Sequence, residues 1–200
     1  MAGLLLAAGA GRRFGGPKAL AELDGEPLVR RALRGLTGGG CAPVHVVLGA
    51  RADDLRALLP REAVAVYAAD WAVGMGASLR AGLHSLRDSN VDAVLVHLVD
   101  LPGVHAEIVA RLVALGGPEV VARAGYHGQP GHPVLLGRRW WQDITASLGG
   151  DQGARGWLAG RSDLRMVECA DLGAGGDVDT RSDLDRLLPW DGETRRPGTS

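Results

Sequence analysis

Met1-Ala2-Gly3-Leu4-Leu5-Leu6-Ala7-Ala8-Gly9-Ala10-Gly11-Arg12-Arg13-Phe14-Gly15-Gly16-Pro17-Lys18 joins an apolar run to a glycine-rich, cationic loop, and the rest of the chain is organised around it. Leu4 to Ala8 is short, apolar and uncharged, as a strand buried on both faces would be, and it runs straight into a glycine-rich loop. Glycines at 9, 11, 15 and 16 permit positive φ and let backbone N–H groups approach a ligand, while Arg13 and Lys18 add positive charge. The loop is a candidate polyphosphate cradle. It is not a Walker loop, because Lys18 lies between Pro17 and Ala19, and not a dinucleotide fingerprint, because Phe14 stands where the third glycine belongs.

Outward from this stretch, strands alternate with helices. Leu28 to Leu36 carries apolar residues on one helical face and is closed by Gly38-Gly39-Gly40. Val44–Leu48 reads as a buried strand, 52–59 as an amphipathic helix and 64–67 as a third strand. Asp70 to Leu79 opens a helix whose N-terminal N–H groups suit an anion. The apolar run 91–100 ends on Asp100, at the carboxyl end of a strand, where open α/β sheets bind ligands; a role as a simple helix cap is the alternative. Helix 104–115, strand 119–123, a polar segment over 125–133 too rich in Gly, Pro and His to be core, and strand 134–136 come next. Interrupted helix then runs from 138 to 159, followed by a strand over 164–169. Thr180 with Asp183 forms a capping box for a last helix to Leu188. This alternation predicts a three-layer, doubly wound, mainly parallel α/β sheet. Residues 1–188 are expected to form one domain and 189–200 a disordered tail.

The chain has 200 residues, 46% of them hydrophobic, which is enough for one sizeable core. A net charge of −1 argues against a general nucleic-acid binder, so the cationic loop points to a small anion. Leu4–Ala8 is too short to span a membrane or to serve as a secretory leader, and the expected location is the cytoplasm. Cys41 and Cys169 match no metal or redox spacing and read as reduced buried thiols.

The loop pattern Leu6-Ala7-Ala8-Gly9, Gly11, Arg13, Gly15, Pro17, Lys18 resembles the signature of nucleotidyltransferases that activate a phosphorylated acceptor with an NTP. Gly74–Leu83, Asp100-Leu101-Pro102, Gly131-His132-Pro133-Val134-Leu135, Gly150–Arg155 and Asp177–Leu184 extend this to a resemblance with the molybdenum cofactor cytidylyltransferase family. The chain differs from that family's usual pattern at Gly11 (Ser), Phe14 (Met), Leu101 (Gln) and Arg181-Ser182 (Pro-Glu). The resemblance implies a Rossmann-like sheet with one reversed strand, and transfer of CMP from CTP to a molybdopterin phosphate with release of pyrophosphate. It implies Mg²⁺, and a molybdoenzyme or its chaperone as a transient partner.

Within that chemistry, Arg13 and Lys18 are expected to meet the triphosphate. Asp100 is expected to hold Mg²⁺ with Asp179, Asp177 being the other candidate. Leu6, Ala7, Ala8, Gly9, Gly11, Trp71, Gly76 and Ser78 are expected at the nucleotide, with Trp71 equally readable as core. Ala8, where the guanylyl branch usually has Gly, implies CTP. Gly131, His132, Pro133, Asp151 and Arg155 are expected to face the acceptor, an i,i+4 ion pair being the other reading of Asp151 and Arg155. A sugar-phosphate nucleotidyltransferase, a metal-dependent glycosyltransferase and a non-catalytic NTP sensor are the competing readings.

Overall fold

The structure, a computed structural model, describes residues 1–187 of the chain. The expected tail at 189–200, and Leu188 as the end of the last helix, lie outside the described residues. In chain order the elements are β1 (Ala2–Leu6), a small hairpin of β2 (Glu22–Leu23) and β3 (Glu26–Pro27), α1 (Leu28–Gly38), β4 (Val44–Leu48), α2 (Ala52–Leu58), β5 (Ala63–Tyr67) and α3 (Met75–Ser85). Then follow β6 (Ala93–Leu98), α4 (Ala106–Val113), β7 (Val121–Tyr126), β8 (Gln129–Gly137), α5 (Trp141–Ser147), α6 (Arg155–Ala159), β9 (Arg165–Glu168) and α7 (Arg181–Leu187).

The seven-stranded sheet has the order β5-β4-β1-β6-β8-β7-β9. Only β8 is reversed, pairing antiparallel with both β6 and β7. Period-two alternation of the strands sorts the core into two layers. Leu5, Val46 and Leu95 pack with α1, α4 and α7 on one face. Leu4, Val47 and Val94 pack with α3, α5 and α6 on the other. Leu4 and Leu5 are 0% exposed, and each such leucine contributes about 1.5–3 kcal/mol through removal from water. A three-layer, mainly parallel α/β sheet is thus what the alternation of elements predicts and what the chain forms.

Two local expectations are corrected. The first strand ends at Leu6 rather than Ala8, although Ala7 N–H still donates to Val47 O at 3.0 Å. The segment 125–133, expected to lie outside the core, is a β-hairpin whose Tyr126 is buried in the core. His127 and Gly128 take φ of +52° and +77° in its two-residue turn, and the Glu168 carboxylate accepts both of their N–H groups. Gly131 belongs to this strand pair for steric reasons, since a Cβ there would lie 2.7 Å from the Tyr126 ring.

The chain winds outward from β1 through β4 to β5 and returns to β6 on the other side of β1. The order therefore reverses between β1 and β6, and a crevice opens at their carboxyl ends. The Gly9–Lys18 loop leaves β1 there, and Asp100 follows β6.

Candidate active site

The loop after β1 is closed by its own backbone. Gly11 has φ +58°, and its carbonyl accepts the N–H groups of Gly15 at 2.9 Å and Gly16 at 3.1 Å. A Cβ on Gly11 would stand 1.9 Å from Gly16 O, so the turn admits only glycine as built. Phe14, 4% exposed, anchors the loop in the core, and the Arg181 guanidinium lies 5.3 Å from its ring centroid. Arg13 is left 79% exposed at the rim.

At the base of the crevice Lys18 lies between two carboxylates. Its Nζ donates to Asp100 Oδ2 and to Asp179 Oδ1, each at 2.8 Å, so these two oxygens are no more than twice that distance apart. Asp179 also pairs with Arg13 through Oδ2 at 3.0 Å. Backbone fixes the juxtaposition: Val178 N–H donates to Asp100 O at 2.9 Å, and Val178 is buried. The Asp183 carboxylate accepts Thr180 N–H at 2.7 Å and Asp179 N–H at 3.2 Å, holding the segment at the start of α7. Burial works against the Lys18 charge, but the hydrogen bonds to Asp100 and Asp179 outweigh it and hold the ammonium above its ordinary pKa. The Lys18 bond in turn holds the Asp179 carboxyl below the usual carboxylate range.

Two cavities adjoin at this cluster. One, of about 580 Å³, is lined by Ala8, Gly9, Gly11, Trp71 and Ser78. The other, of about 640 Å³, is lined by Gly131, His132, Arg155, Asp177 and Asp179. Leu6, Arg13, Lys18, Asp100 and Asp151 border both. Trp71 combines its two readings: it packs against the core layer under α3, and a Cβ on Gly49 would meet it at 2.5 Å, yet its exposed side borders the first cavity.

Three expected residues line neither cavity. Ala7 is buried in the core beneath the loop. Gly76 is a close-approach position, where a Cβ would stand 3.1 Å from Gly150 O. Pro133 follows His132 in β8 but does not reach the cavity wall. Asp151 and Arg155 make no ion pair with each other among the described residues; the Gly150-Asp151 turn instead lies against Gly74 at the start of α3. His132 is half-buried, and desolvation is the first cause that pushes its pKa down to about 4, so its imidazole is neutral at pH 7. Among the wall residues that escape a sequence reading, one is charged. Arg123, in the middle of β7, borders the second cavity, and an isolated arginine in an apolar strand carries no motif.

A crevice of this kind suits phosphoryl chemistry, which calls for charge neutralisation and alignment rather than a protein nucleophile. The family match agrees with that chemistry. Residues 3–167 match the MobA-like NTP transferase domain. The chain is 37% identical over 198 residues to nicotine blue oxidoreductase of Paenarthrobacter nicotinovorans, covering 93% of this chain and 95% of that protein. It is 33% identical over 116 residues to molybdenum cofactor guanylyltransferase of Rhodobacter capsulatus, covering 57% and 58%. The crystal structure of Rv0371c from Mycobacterium tuberculosis H37Rv superposes with a TM-score of 0.79 at 26% identity, over 94% of this chain and 96% of that one. A manganese complex of Rv0371c superposes with a TM-score of 0.74, at 26% identity, over 94% and 97%. Because the match runs from β1 into β9, through every strand that builds the crevice, this chain belongs to the MobA-like NTP transferase domain family, the nucleotidyltransferases.

Proposed function

We propose that this nucleotidyltransferase moves CMP from CTP to the phosphate of a molybdopterin-type acceptor and releases pyrophosphate. The observation that carries the reading is the pair of cavities meeting at Lys18 and Asp100. A nucleotide in the Gly9–Trp71 cavity and an acceptor in the His132–Arg155 cavity meet only at that shared border. An acceptor phosphate oxygen forms a bond to the α-phosphorus as the bridging bond to the β-phosphate breaks, and the leaving pyrophosphate takes the electron pair. Arg13, exposed and forked, steadies the β- and γ-phosphates, and Lys18 meets the α-phosphate as a compact charge.

The donor set fits a divalent cation. Asp100 and Asp179 present hard carboxylate oxygens to one point, where the Lys18 ammonium now stands as a cation between them. Among the described residues no group of three or more His, Cys, Asp or Glu could hold a metal ion; Mg²⁺ is commonly bound through one or two carboxylates together with waters and substrate phosphates. Mg²⁺ held by Asp100 and Asp179 would supply Lewis acidity at the α-phosphorus. Asp177, on the same wall, is the next candidate ligand.

The cytidylyl choice rests on Ala8, which lines the nucleotide cavity with Trp71 and stands where the guanylyl branch usually has Gly. The solved relative with manganese supports a divalent ion, and the guanylyltransferase relative supports an acceptor of the molybdenum cofactor class. Among the described residues no helix is long and apolar enough to cross a membrane, and Cys41 and Cys169 are free and buried; we place the protein in the cytoplasm, with a molybdoenzyme or its chaperone receiving the product. The near full-length similarity to nicotine blue oxidoreductase favours a second reading, in which the cleft holds a reduced dinucleotide for hydride transfer.

One experiment separates the readings. The protein is incubated with Mg²⁺, molybdopterin and each NTP, pyrophosphate is measured, and in parallel NADH and NADPH absorbance is followed with a quinonoid dye. CTP above GTP and ATP in kcat/KM is expected. A preference for GTP overturns the cytidylyl assignment, and dye-dependent NAD(P)H oxidation without pyrophosphate overturns the transferase reading for this chain.

A further inference from the structure

Lys18 and Arg13 cover the carboxylate oxygens that a divalent ion would need. Lys18 Nζ donates to Asp100 Oδ2 and to Asp179 Oδ1, and Arg13 Nη1 lies 3.0 Å from Asp179 Oδ2. Of the oxygens on the two carboxylates, Asp100 Oδ1 alone carries no such bond among the described residues. The Lys18 side chain is 16% exposed, so water screens its bonds to the pair poorly. Asp151 and Asp177 line the same walls but form no ion pair with Lys18 or Arg13 among the described residues.

An ammonium and a divalent ion cannot share the point between Asp100 and Asp179, because like charges that close repel and the space is filled. The oxygen left over, Asp100 Oδ1, is by itself a weak site for Mg²⁺, which gives up its waters reluctantly. A triphosphate changes this balance. It offers oxygens to Lys18 and Arg13, both of which border the nucleotide cavity, and draws the two cations away from the carboxylates. The carboxylates themselves stay in place: Val178 N–H holds Asp100 O, and the Asp183 carboxylate accepts Asp179 N–H. The lysine, on its flexible four-carbon stem, is the part that moves.

Resting on the assignment of Asp100 and Asp179 to the divalent ion, we infer that Lys18, backed by Arg13, is a built-in counter-cation that keeps the metal out of the nucleotide-free protein and releases the two carboxylates when a triphosphate arrives. The step is an exchange of ion pairs, and no covalent bond changes. Lys18 and Arg13 give up Asp100 and Asp179 for phosphate oxygens, and the carboxylates take the ion, so every charge keeps a partner. Nucleotide and metal therefore bind as a unit, each raising the affinity of the other.

Mn²⁺ is the probe, because its electron paramagnetic resonance signal reports the free ion, and the full chain is titrated without nucleotide. Lys18→Met is expected to bind Mn²⁺ about tenfold or more tightly than wild type, and Lys18→Gln likewise. Lys18→Arg, which keeps the charge, is expected to stay within about threefold of wild type. A side chain with a merely structural role would lower metal affinity, or leave it unchanged, when removed. Adding Asp100→Asn to Lys18→Met is expected to abolish the gain. Equal affinity in wild type and Lys18→Met overturns the inference, and so does a gain that survives Asp100→Asn. Should Lys18→Met lose its fold in a thermal melt, Lys18→Gln decides in its place. With the α,β-methylene analogue of CTP bound, wild-type affinity for Mn²⁺ is expected to rise about tenfold or more above that of the analogue in buffer. A bound analogue that brings no rise overturns the exchange. An analogue that does not bind wild type defeats the transferase reading for CTP, while the nucleotide-free titrations still decide whether Lys18 excludes the ion.

Discussion

Two cavities of nearly equal size lie at opposite ends of the sheet. One, of about 610 Å³ at the amino ends of β4 and β5 between α1 and α2, is lined by Leu33, Cys41, Pro43, Val44 and Leu59. The other, of about 640 Å³, is the acceptor side of the crevice at the carboxyl ends of β1 and β6. The first is mostly apolar, and its arginines are engaged elsewhere: Arg34 with Glu26, and Arg30 with Leu58 O. Burial pushes the Cys41 thiol up to about 11, so it is neither nucleophile nor ligand at pH 7. At the other end charged side chains from three distant parts of the chain converge. Volume does not distinguish the two ends; the convergence of charge does. The parallel topology produces it, because each strand of the β1/β6 region delivers its following loop to the same edge.

The contrast is broken most sharply at Asp100. Asp100→Asn is expected to lower divalent-dependent turnover by ~10³-fold or more while the thermal midpoint changes little; turnover within tenfold of wild type would move the metal elsewhere. Lys18→Ala comes next, with a loss of ~10²-fold in kcat/KM, measured as pyrophosphate release. An active Lys18→Ala enzyme would detach the loop from the chemistry. At the amino end, Cys41→Ser is expected to leave kcat unchanged and to cost about 1–2 kcal/mol in a denaturant titration, because a hydroxyl replaces a buried thiol. A fall in kcat there would make the two ends functionally alike.

The smallest effect concerns pH. The folded pKa of Asp179 is depressed, chiefly by its bond from Lys18, so its stabilising contribution is present above the unfolded carboxylate value of about 3.9 and is lost as pH falls through the folded one. The difference in thermal midpoint between wild type and Asp179→Asn should therefore be visible at pH 7 and shrink at pH 3. A difference that is independent of pH would mean that the pair with Lys18 does not carry it.

Local patterns were enough for much of this molecule. The apolar run before Gly9, the helical face from Leu28 to Leu36 and the Thr180–Asp183 capping box are read from neighbours within four residues, which is the range over which backbone hydrogen bonding and helical spacing act. The loop motif and Asp100 were legible for the same reason, since a strand end followed by glycine or an acid is a local signature. Tertiary structure decided the rest. The strand order, the hairpin over 125–133 and its Tyr126–Gly131 contact depend on which surfaces bury each other, and the same Gly/Pro/His residues read locally as a polar segment outside the core. Lys18 meets Asp100 and Asp179 across separations of 82 and 161 residues, and Arg123 borders the same cavity as Arg155 only because the fold brings β7 and the start of α6 to one crevice. Electrostatic interaction follows distance in space, and that distance was set only when the sheet closed the intervening chain.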